Sequence, residues 1–367
     1  MPKRPAVENM TWRELDVKRF NTINNKVMVD VRSPCEFIKE YIPGSLNIPL
    51  LSDDERAEVG TVYRNEGEFR ARKLALSIVA PKIPAIVNSI LSEKRENHTL
   101  VVNCWRGGMR SEAVVSFLSL MGVDCWRLTG GYKAWRRQVL NDFDSDQYPF
   151  EVVVLDGLTG VGKTEVLLEL SKLGASVLDL EGFASHRGSI FGGLGLPGQP
   201  SQKNFDGFLW DELRRVPGGV LFVEAESKSI GSIRLPEFLM ERIKKGTRIL
   251  LNGSIEARVA RIEREYDLAT YGEEIDGLLQ KIQIFKERLG REKLSCLSDA
   301  LRSGNYSLAV QSLLTDYYDP LYRRHLSPES DYALSVSSDD VTSCAVKIQE
   351  WSMGMNVGVR AEAVDKA

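Results

Sequence analysis

One cysteine stands where a predicted strand meets a glycine-rich turn. The apolar run at 99–103 predicts a buried strand, and Cys104 follows it directly. Gly107 and Gly108 permit a tight curl before the helical pattern that begins at Ser111. Such a turn directs backbone N–H groups and the positive end of a helix dipole at the thiol. The pattern favours a reactive thiolate, and we predict that Cys104 is a nucleophile.

The other residues of this loop suit an oxyanion. Arg106 and Arg110 would hold negative charge beside the thiol. The loop that we assign to the site comprises Cys104, Trp105, Arg106, Gly107, Gly108, Met109, Arg110 and Ser111. A buried structural role is the usual interpretation of a lone cysteine, and we keep it for the other four in the chain.

A second glycine-rich turn has the spacing of a phosphate cradle. The apolar strand predicted at 150–155 is followed by the motif G-x-x-x-x-G-K-T and then by a helical pattern. The residues that we assign to this P-loop are Gly157, Thr159, Gly160, Val161, Gly162, Lys163 and Thr164. Lys163 would neutralise a phosphate chain wrapped by backbone N–H groups, and the Thr164 hydroxyl could hold Mg²⁺. Any di- or triphosphate fits this pattern.

Two further segments could complete the phosphate site. A hydrophobic strand ends in Glu224 and Glu226, and either carboxylate could bind metal together with Thr164 or orient a water molecule. His186 and Arg187 stand at the start of a glycine-rich stretch, which is typical of a mobile substrate loop. Strand-end carboxylates are also common on solvent grounds alone, and a lone histidine is more often structural.

Three arginines form a regular series on a predicted helix. Arg258, Arg261 and Arg264 recur every three residues, which places them along one side of the helix, facing phosphate, RNA or only solvent. The formal net charge of the chain is −3, so it is not a generally basic nucleic-acid-binding protein. If RNA binds, it must use a local stripe such as this one, and the affinity should be salt-sensitive.

Strand patterns alternate with helical patterns on both sides of a polar, acidic stretch. Such alternation predicts parallel βαβ units, so the expected fold class is α/β. The predicted order is a parallel-sheet domain over 1–140, a linker over 141–149, a P-loop NTPase-like α/β domain over 150–254, a helical segment packed on it over 255–352, and a disordered tail over 353–367. Two domains also agree with a length of 367 residues.

Composition places the chain among soluble globular proteins. Hydrophobic residues make up 43% and charged residues 27%, and no apolar run predicts a membrane span. The five cysteines are scattered without a CxxC pair, which argues against a disulfide framework and a four-cysteine zinc site. We expect a cytoplasmic monomer without a membrane partner or a tightly bound cofactor.

Four ordered blocks in the first domain resemble the rhodanese family. They are 30–37 (DVRSPCEF), 41–49 (YIPGSLNIP), the Cys104 loop and 128–135 (LTGGYKAW). The resemblance implies that Cys104 carries a chalcogen atom. Five residues separate Cys104 from Arg110, one more than in typical sulfurtransferases and the same number as in related phosphatases and arsenate reductases. The longer loop indicates a bulkier substrate, such as one that carries phosphate.

A rhodanese domain fused to a P-loop domain resembles the tRNA 2-selenouridine synthase family. The loop at 104–111, the segment 59–63 (VGTVY), the P-loop at 157–164 and the segment 184–189 (ASHRGS) match its pattern in order. The resemblance implies a selenotransferase that replaces the sulfur of wobble 2-thiouridine with selenium in the tRNAs for Lys, Glu and Gln. It also implies selenophosphate as selenium donor, and geranyl diphosphate as the reagent that alkylates the thiouridine sulfur.

The two sites would divide this chemistry between them. We hypothesise that the P-loop holds geranyl diphosphate rather than ATP, with the departing diphosphate stabilised by Lys163 and a metal ion. The alkylated sulfur would then leave as a thiol. Cys104 would receive selenium from selenophosphate and deliver it to C2 of the uridine, while Arg106 and Arg110 hold the phosphate.

Three other functions agree with parts of the sequence. An ATP-dependent tRNA sulfurtransferase would need both a P-loop and a loop cysteine. A P-loop NTPase or kinase could carry the rhodanese domain as a binding module, although the intact Cys104 loop argues against it. A phosphatase or arsenate reductase agrees with the loop spacing but leaves the second domain without a role.

Overall fold

The computed structural model describes residues 12–189, 192–266, 286–324 and 326–364. These residues fall into two compact units. The thiol-loop unit contains the residues up to Asp146 together with Ser201–Asp211, and the P-loop unit contains Gln147–Pro200 and the residues from Glu212 onward. Each unit therefore carries one of the two predicted sites.

A five-stranded parallel sheet forms the centre of the thiol-loop unit. Its strands are β1 (Arg13–Leu15), β2 (Lys26–Asp30), β3 (Ser45–Asn47), β4 (Thr99–Asn103) and β5 (Trp126–Leu128). Their order across the sheet is β1-β5-β4-β2-β3. Strands β2 and β4 are central and almost wholly buried, as apolar strands covered on both faces should be. Cys104 thus stands at the carboxyl end of a central strand, where open α/β sheets bind their ligands.

Helices pack against this sheet and share its core cluster with strand and loop residues. They are α1 (Val17–Thr22), α2 (Pro34–Lys39), α3 (Asp53–Glu66), α4 (Glu68–Val79), α5 (Ile83–Glu93), α6 (Met109–Leu120) and α7 (Gly131–Ser145), with a 3₁₀ turn at Ala80–Lys82. A capping box between Ser52 and Glu55 begins α3. Ile90 of α5 and Val115 and Leu118 of α6 are buried in the core cluster.

A second parallel sheet forms the centre of the P-loop unit. Its strands are β6 (Phe150–Gly157), β7 (Ser176–Leu178), β8 (Gly219–Glu224), β11 (Thr247–Asn252) and β12 (Leu334–Ser337), and a separate antiparallel pair consists of β9 (Ser229–Ile230) and β10 (Ile233–Arg234). The order is β12-β11-β6-β8-β7, so β6, which leads into the P-loop, is the central strand. The predicted α/β class with two parallel-sheet domains is confirmed.

The helices of the second half surround this sheet and extend beyond it. They are α8 (Lys163–Lys172), α9 (Leu180–Ala184), α10 (Gln202–Leu213), α11 (Glu237–Lys245), α12 (Ile255–Tyr266), α13 (Lys286–Arg302), α14 (Tyr306–Leu313), α15 (Asp319–Tyr322) and α16 (Val341–Val364), with a π-helical turn at Leu314–Tyr318 and a 3₁₀ turn at Glu329–Asp331. Val166 and Leu170 of α8 share a core cluster with Ile348 of α16.

Helix α10 departs from the predicted domain order. It follows the P-loop in sequence, but its residues up to Asp211 belong to the thiol-loop unit. There Asp206 pairs with Arg136 at 2.5 Å, and the indole N–H of Trp210 donates a 2.8 Å hydrogen bond to Asp142. The predicted domain at 150–254 is therefore interrupted, because α10 finds its buried partners on α7.

Two predicted boundaries also differ from the observed elements. Helix α7 continues to Ser145, through the first part of the predicted linker 141–149, because Val139 and Phe143 bury its apolar side. The predicted helical segment 255–352 contains β12, which pairs in parallel with β11.

The last helix, α16, continues to Val364 and so enters the predicted disordered tail 353–367. Residues 267–285 of the helical segment and 365–367 of the tail lie outside the described residues.

One helical stretch of the described chain, Glu68–Glu93, is long and apolar enough to cross a membrane by length and composition. The sequence analysis predicted no such stretch. Its second half buries Ile86, Val87 and Ile90 in the core of the thiol-loop unit, whereas Leu76 in the first half is 62% exposed. The apolar residues of this stretch therefore pack in the core in its second half and reach the solvent-exposed surface in its first half.

Candidate active sites

The loop after β4 forms a tight cradle that begins at Cys104. Gly107 has a φ of +63°, and a Cβ at this position would lie 2.5 Å from the carbonyl oxygen of Leu128. Only glycine fits such a position. The Tyr132 N–H donates a 2.9 Å hydrogen bond to the Cys104 carbonyl oxygen, which fastens the loop to the start of α7. The predicted loop 104–111 is thus one compact turn that leads into α6.

The thiol is buried beside a hydroxyl group. Cys104 is 3% exposed, and its Sγ lies 3.2 Å from the Oγ of Ser111 in the first turn of α6. The same Oγ lies 3.1 Å from the carbonyl oxygen of Gly108. A hydroxyl within reach of the sulfur can stabilise a thiolate, either as nucleophile or as leaving group.

Arg110 is a fixed cation at the edge of this loop. Its Nη1 donates a 2.5 Å hydrogen bond to a carboxylate oxygen of Glu36. Burial opposes the charge of Arg110, but the hydrogen bond and charge of Glu36 outweigh it and raise the arginine pKa. Burial likewise opposes the charge of Glu36, but the hydrogen bond and charge of Arg110 outweigh the effect of burial and lower the pKa of the carboxyl. Arg106, the second predicted cation, is exposed to solvent.

A buried ion pair packs against aromatic side chains of the thiol loop and of α7. Asp30 and Arg32 are fully buried and lie 2.7 Å apart, and Arg32 also donates a 2.6 Å hydrogen bond to the carbonyl oxygen of Glu40. The guanidinium lies 4.6 Å from the ring centre of Tyr132, and that ring stacks on Trp105 at 5.5 Å. No site role was predicted for Asp30 or Arg32, although their position at the carboxyl end of β2 is a signal that could have located them.

The P-loop has the backbone of a phosphate cradle. Gly157, Gly160 and Gly162 have φ values of +148°, +78° and +82°. A Cβ at Gly162 would also lie 2.7 Å from Nε of Arg261, so both the turn and the packing require glycine there. Strand β6 ends at Gly157 and α8 begins at Lys163, which gives the predicted order of strand, loop and helix.

Thr164 lies beside a cluster of three carboxylates, Glu181, Glu224 and Glu226. Its Oγ1 donates toward Glu224 at 3.0 Å and lies 3.3 Å from Glu181. One oxygen from each carboxylate lies within 4.8 Å of the other two. Burial and then mutual repulsion raise the pKa of Glu181 to about 8 and of Glu226 to about 7, and they raise that of Glu224 as well.

This donor set fits a divalent cation. Hard oxygen ligands whose negative charges repel one another in a buried place are what Mg²⁺ binds, and the predicted pair Thr164 and Glu224 belongs to the set. Glu181 was missed in the sequence because it stands on α9, and only the folded chain brings α9 to the end of β8.

Of the predicted substrate-loop residues, Arg187 lines the P-loop cavity and His186 is not among its lining residues. Arg187 donates a 2.9 Å hydrogen bond to the carbonyl oxygen of Glu265, and its guanidinium lies 4.8 Å from the ring centre of Tyr266. The Gly188 N–H donates a 3.2 Å hydrogen bond to Nδ1 of His186, and burial lowers the pKa of that imidazole. Arg187 is therefore the residue of the two that can meet a ligand here.

The predicted RNA-facing arginine stripe does not form. Arg258 and Arg261 are 3% and 4% exposed. Arg258 pairs with Asp319 at 2.5 Å, Arg261 pairs with Glu165 at 2.6 Å, and each also donates to a P-loop carbonyl oxygen. Arg264 is exposed and contacts Glu165 as well. A buried charge needs polar partners. Because the P-loop carbonyl oxygens are among the partners of these two buried arginines, the arginines hold the P-loop in place.

A cavity of about 230 Å³ lies beside the P-loop. Its lining includes Lys163, Thr164 and the three carboxylates. It also includes a group of mostly apolar side chains, here called the apolar chamber, from α12, α13, α14 and the π-helical turn, namely Ile262, Leu301, Ala309, Val310, Leu313, Leu314 and Tyr318. No sequence pattern indicated this chamber, because its walls come from helices that meet only in the folded unit.

The fold and the two sites define a class of protein, a rhodanese-type unit with a buried loop cysteine combined with a P-loop unit. The rhodanese-like domain family model matches residues 16–138. The model of the tRNA 2-selenouridine synthase AAA domain matches residues 150–352. The chain belongs to the tRNA 2-selenouridine synthase family.

Full-length relatives agree with this assignment. The tRNA 2-selenouridine synthase of Pseudomonas syringae pv. syringae is 36% identical over 85% of this chain and 92% of its own length. That of Marinobacter nauticus is 34% identical over 90% of this chain and 95% of its own length. Among solved structures, a rhodanese-related protein from Thermoplasma volcanium is 22% identical, covers 35% of this chain and 93% of its own, and has a TM-score of 0.22.

Proposed function

We propose that this protein converts wobble 2-thiouridine of tRNA into 2-selenouridine by S-geranylation followed by selenium transfer. The acceptors are the tRNAs for Lys, Glu and Gln. The observation that carries the proposal is the cavity that joins a phosphate cradle to an apolar chamber. It supports a ligand with a diphosphate at one end and a hydrocarbon chain at the other, which is the composition of geranyl diphosphate.

The P-loop unit carries out the alkylation. The thiouridine sulfur attacks C1 of the geranyl chain, the C–O bond breaks, and diphosphate leaves. Lys163 and the N-terminus of α8 neutralise the charge that develops on the diphosphate. Mg²⁺ held by Thr164 and the three carboxylates would supply further positive charge at the same place. The apolar chamber shelters the chain and excludes water from the reacting carbon.

Alkylation prepares the sulfur to leave. A thiocarbonyl sulfur is a poor leaving group, whereas a geranylated sulfur departs as geranylthiol when a nucleophile adds to C2 of the uridine. The selenium of selenophosphate supplies this nucleophile, so the C–Se bond forms and the C–S bond breaks. The product still carries the phosphoryl group on selenium, and the P–Se bond must then be cleaved.

Cys104 can take part by two routes, which differ in whether phosphorus or selenium keeps the electron pair of the P–Se bond. If the thiolate took selenium itself, as the rhodanese resemblance implies, phosphorus would keep the bonding electron pair and leave as phosphite. If the thiolate attacks phosphorus, an S–P bond forms, selenium leaves with the electron pair as the selenouridine, and water releases phosphate. The C-x5-R spacing and the Ser111 hydroxyl 3.2 Å from Sγ favour attack on phosphorus.

The experiment follows each nucleoside and each phosphorus product. Thiolated anticodon stem-loop RNA is incubated with geranyl diphosphate and Mg²⁺, then with selenophosphate, and nucleosides are measured by mass spectrometry. We expect geranylthiouridine and then selenouridine, with phosphate in the ³¹P spectrum. Phosphite with a selenium adduct on Cys104 would instead establish selenium uptake by the thiol. Tight ATP binding that geranyl diphosphate does not displace would contradict the alkylation step and favour an ATP-dependent sulfurtransferase.

A further inference from the structure

We propose that a groove beside the thiol loop binds the isoprenoid chain of the S-geranylated nucleotide during selenium transfer. The inference rests on the proposed function, because it names the place of the intermediate that this function requires. It concerns the thiol-loop unit alone and is separate from the chamber of the P-loop unit.

The groove has an apolar floor that is open to solvent. It has a volume of about 810 Å³ and lies between α3, α4 and the start of α6. Val59, Leu76, Val79 and Phe117 are among its lining residues, and Leu76 is 62% exposed. Exposed apolar surface gathered in a concave place marks a binding site for apolar ligands. An extended isoprenoid chain is a hydrocarbon, so it would pack on this apolar floor.

The groove is continuous with the thiol loop. Met109 and Arg110 belong to the loop that begins at Cys104, and both also line the groove. Met109 is 52% exposed at the first position of α6, whereas Val114, Val115 and Leu118 of the same helix are buried. A chain lying in the groove therefore ends beside the loop that carries out the proposed cleavage, which a docking face for an unrelated partner would not require.

The lining of the groove includes four arginines, here called its basic rim, namely Arg56, Arg64, Arg72 and Arg110. Arg110 pairs with Glu36 and Arg72 pairs with Glu68, but neither carboxylate is among the residues that line the groove. Arg56 is 54% exposed on its side chain and meets Glu36 only at 3.6 Å. An apolar floor with a basic rim suits a hydrocarbon attached to a polyanion, which describes a geranyl group on a tRNA nucleotide.

Such a groove would also select the alkylated substrate. RNA with unmodified thiouridine reaches the basic rim but leaves the apolar floor exposed to water, so it binds more weakly than S-geranyl RNA. The chain would hold C2 of the uridine at the thiol loop and would leave with geranylthiol. The rate of selenium transfer should therefore depend on the length of the S-alkyl group.

The test bypasses the alkylation step. Anticodon stem-loops with preformed S-geranyl- or S-methyl-2-thiouridine are incubated with selenophosphate, and single-turnover selenation is measured as a function of RNA concentration. We expect Leu76→Glu to raise the half-saturating concentration of S-geranyl RNA about tenfold. That of S-methyl RNA should rise much less, because this RNA loses only the electrostatic part of the contact. The matched control is Leu120→Glu, because Leu120 is 63% exposed in the same unit and does not line the groove.

The outcomes separate the inference from the proposed function. If wild-type protein selenates S-geranyl RNA and Leu76→Glu does so equally well, the groove inference is wrong and the proposed function stands. If wild-type protein selenates neither alkylated RNA, both fail. If Leu76→Glu loses binding to vesicles of anionic phospholipid without any change in selenation, the groove is a membrane-binding surface and the inference is overturned.

Discussion

At the level of single residues, Cys104 begins a tight backbone turn, and its sulfur lies next to a hydroxyl group. Ser111 lies 3.2 Å from Sγ, and Arg110 is fixed at the loop edge by Glu36. A cysteine that only filled core space would need neither neighbour. The arrangement supports a thiolate that forms and later leaves a covalent bond.

Replacing Cys104 should separate the two reactions. In the Cys104→Ser variant we expect loss of selenation by at least about a hundredfold with geranylation unchanged, because the proposed alkylation site lies in the P-loop unit. Nucleoside mass spectrometry after each addition measures both products.

The matched control is Cys35→Ser. Cys35 is exposed, and the hydrogen bond from its side chain to Asp53 is the largest of the causes that raise the pKa of its thiol. It should therefore be dispensable for both reactions. Full selenation by Cys104→Ser, or loss of geranylation in it, would contradict the assigned division of labour.

At the level of elements, α12 acts as a brace for the P-loop. Arg258 and Arg261 extend from this helix to P-loop carbonyl oxygens, and their charges are balanced by Asp319 and Glu165. The helix thereby links the phosphate cradle to α15, which brings Tyr322 to the cavity. The rigidity of the cradle depends on these buried pairs.

Removing the buried arginine should cost far more than removing the exposed one. Arg258→Ala leaves Asp319 buried without its cation, and we expect a loss of about 3–5 kcal/mol in the free energy of unfolding. Arg264→Ala removes an exposed pair and should cost less than about 1 kcal/mol. Urea unfolding of both variants measures the difference. Equal and small losses, together with weaker tRNA binding by Arg258→Ala, would restore the RNA-stripe interpretation.

The carboxylate cluster predicts a pH-dependent response to Mg²⁺. Because the pKa values of Glu181 and Glu226 are raised to about 8 and about 7, these carboxyls are ionised in the unfolded chain at pH 6 but are mostly protonated in the fold. Stability without a cation should fall as pH rises from about 4.5 to about 8.

Mg²⁺ should therefore raise the melting temperature more at pH 8 than at pH 6. Scanning calorimetry with Mg²⁺ or with a chelator measures this difference. The control is Glu224→Gln, which removes one charge and should reduce both the pH trend and the Mg²⁺ effect. A melting temperature that Mg²⁺ leaves unchanged at pH 8 would refute the cation site.

At the level of the whole molecule, the chain combines two candidate sites, each with its described lining residues in one unit. The thiol loop and its groove draw only on the first unit, and the P-loop cavity draws only on the second. The proposed intermediate, an S-geranyl tRNA, is a stable molecule. It can therefore pass between separate protein molecules.

Two single-site variants should complement each other in solution. Lys163→Ala lacks the P-loop cation and should not geranylate, whereas Cys104→Ser should geranylate but not selenate. A mixture of both with thiolated RNA, geranyl diphosphate and selenophosphate should produce selenouridine, measured by mass spectrometry. Absence of product, while each variant still completes its own step, would show that the intermediate must stay on one chain.

Much of the fold and of the local chemistry could be predicted from the sequence. The thiol loop and the P-loop are short segments in which glycines, charges and flanking strands are neighbours in the chain, so their conformations follow from local rules. The alternation of strands and helices likewise indicated two parallel sheets. Helix α10 was one exception, because its partners Arg136 and Asp142 lie far from it in sequence.

The sequence by itself determined the local conformation of the two candidate sites, namely the curled loop that carries the Cys104 thiol and the glycine-rich turn that ends at Thr164. The tertiary structure alone decided what surrounds them. It turned Arg258 and Arg261 inward, brought Glu181 to Glu224 and gathered apolar side chains into the same cavity as the P-loop. The physical reason is the sequence separation of the interacting residues. Turn conformation depends on neighbouring residues, whereas burial, charge pairing and cavity walls depend on segments that meet only after the chain has folded.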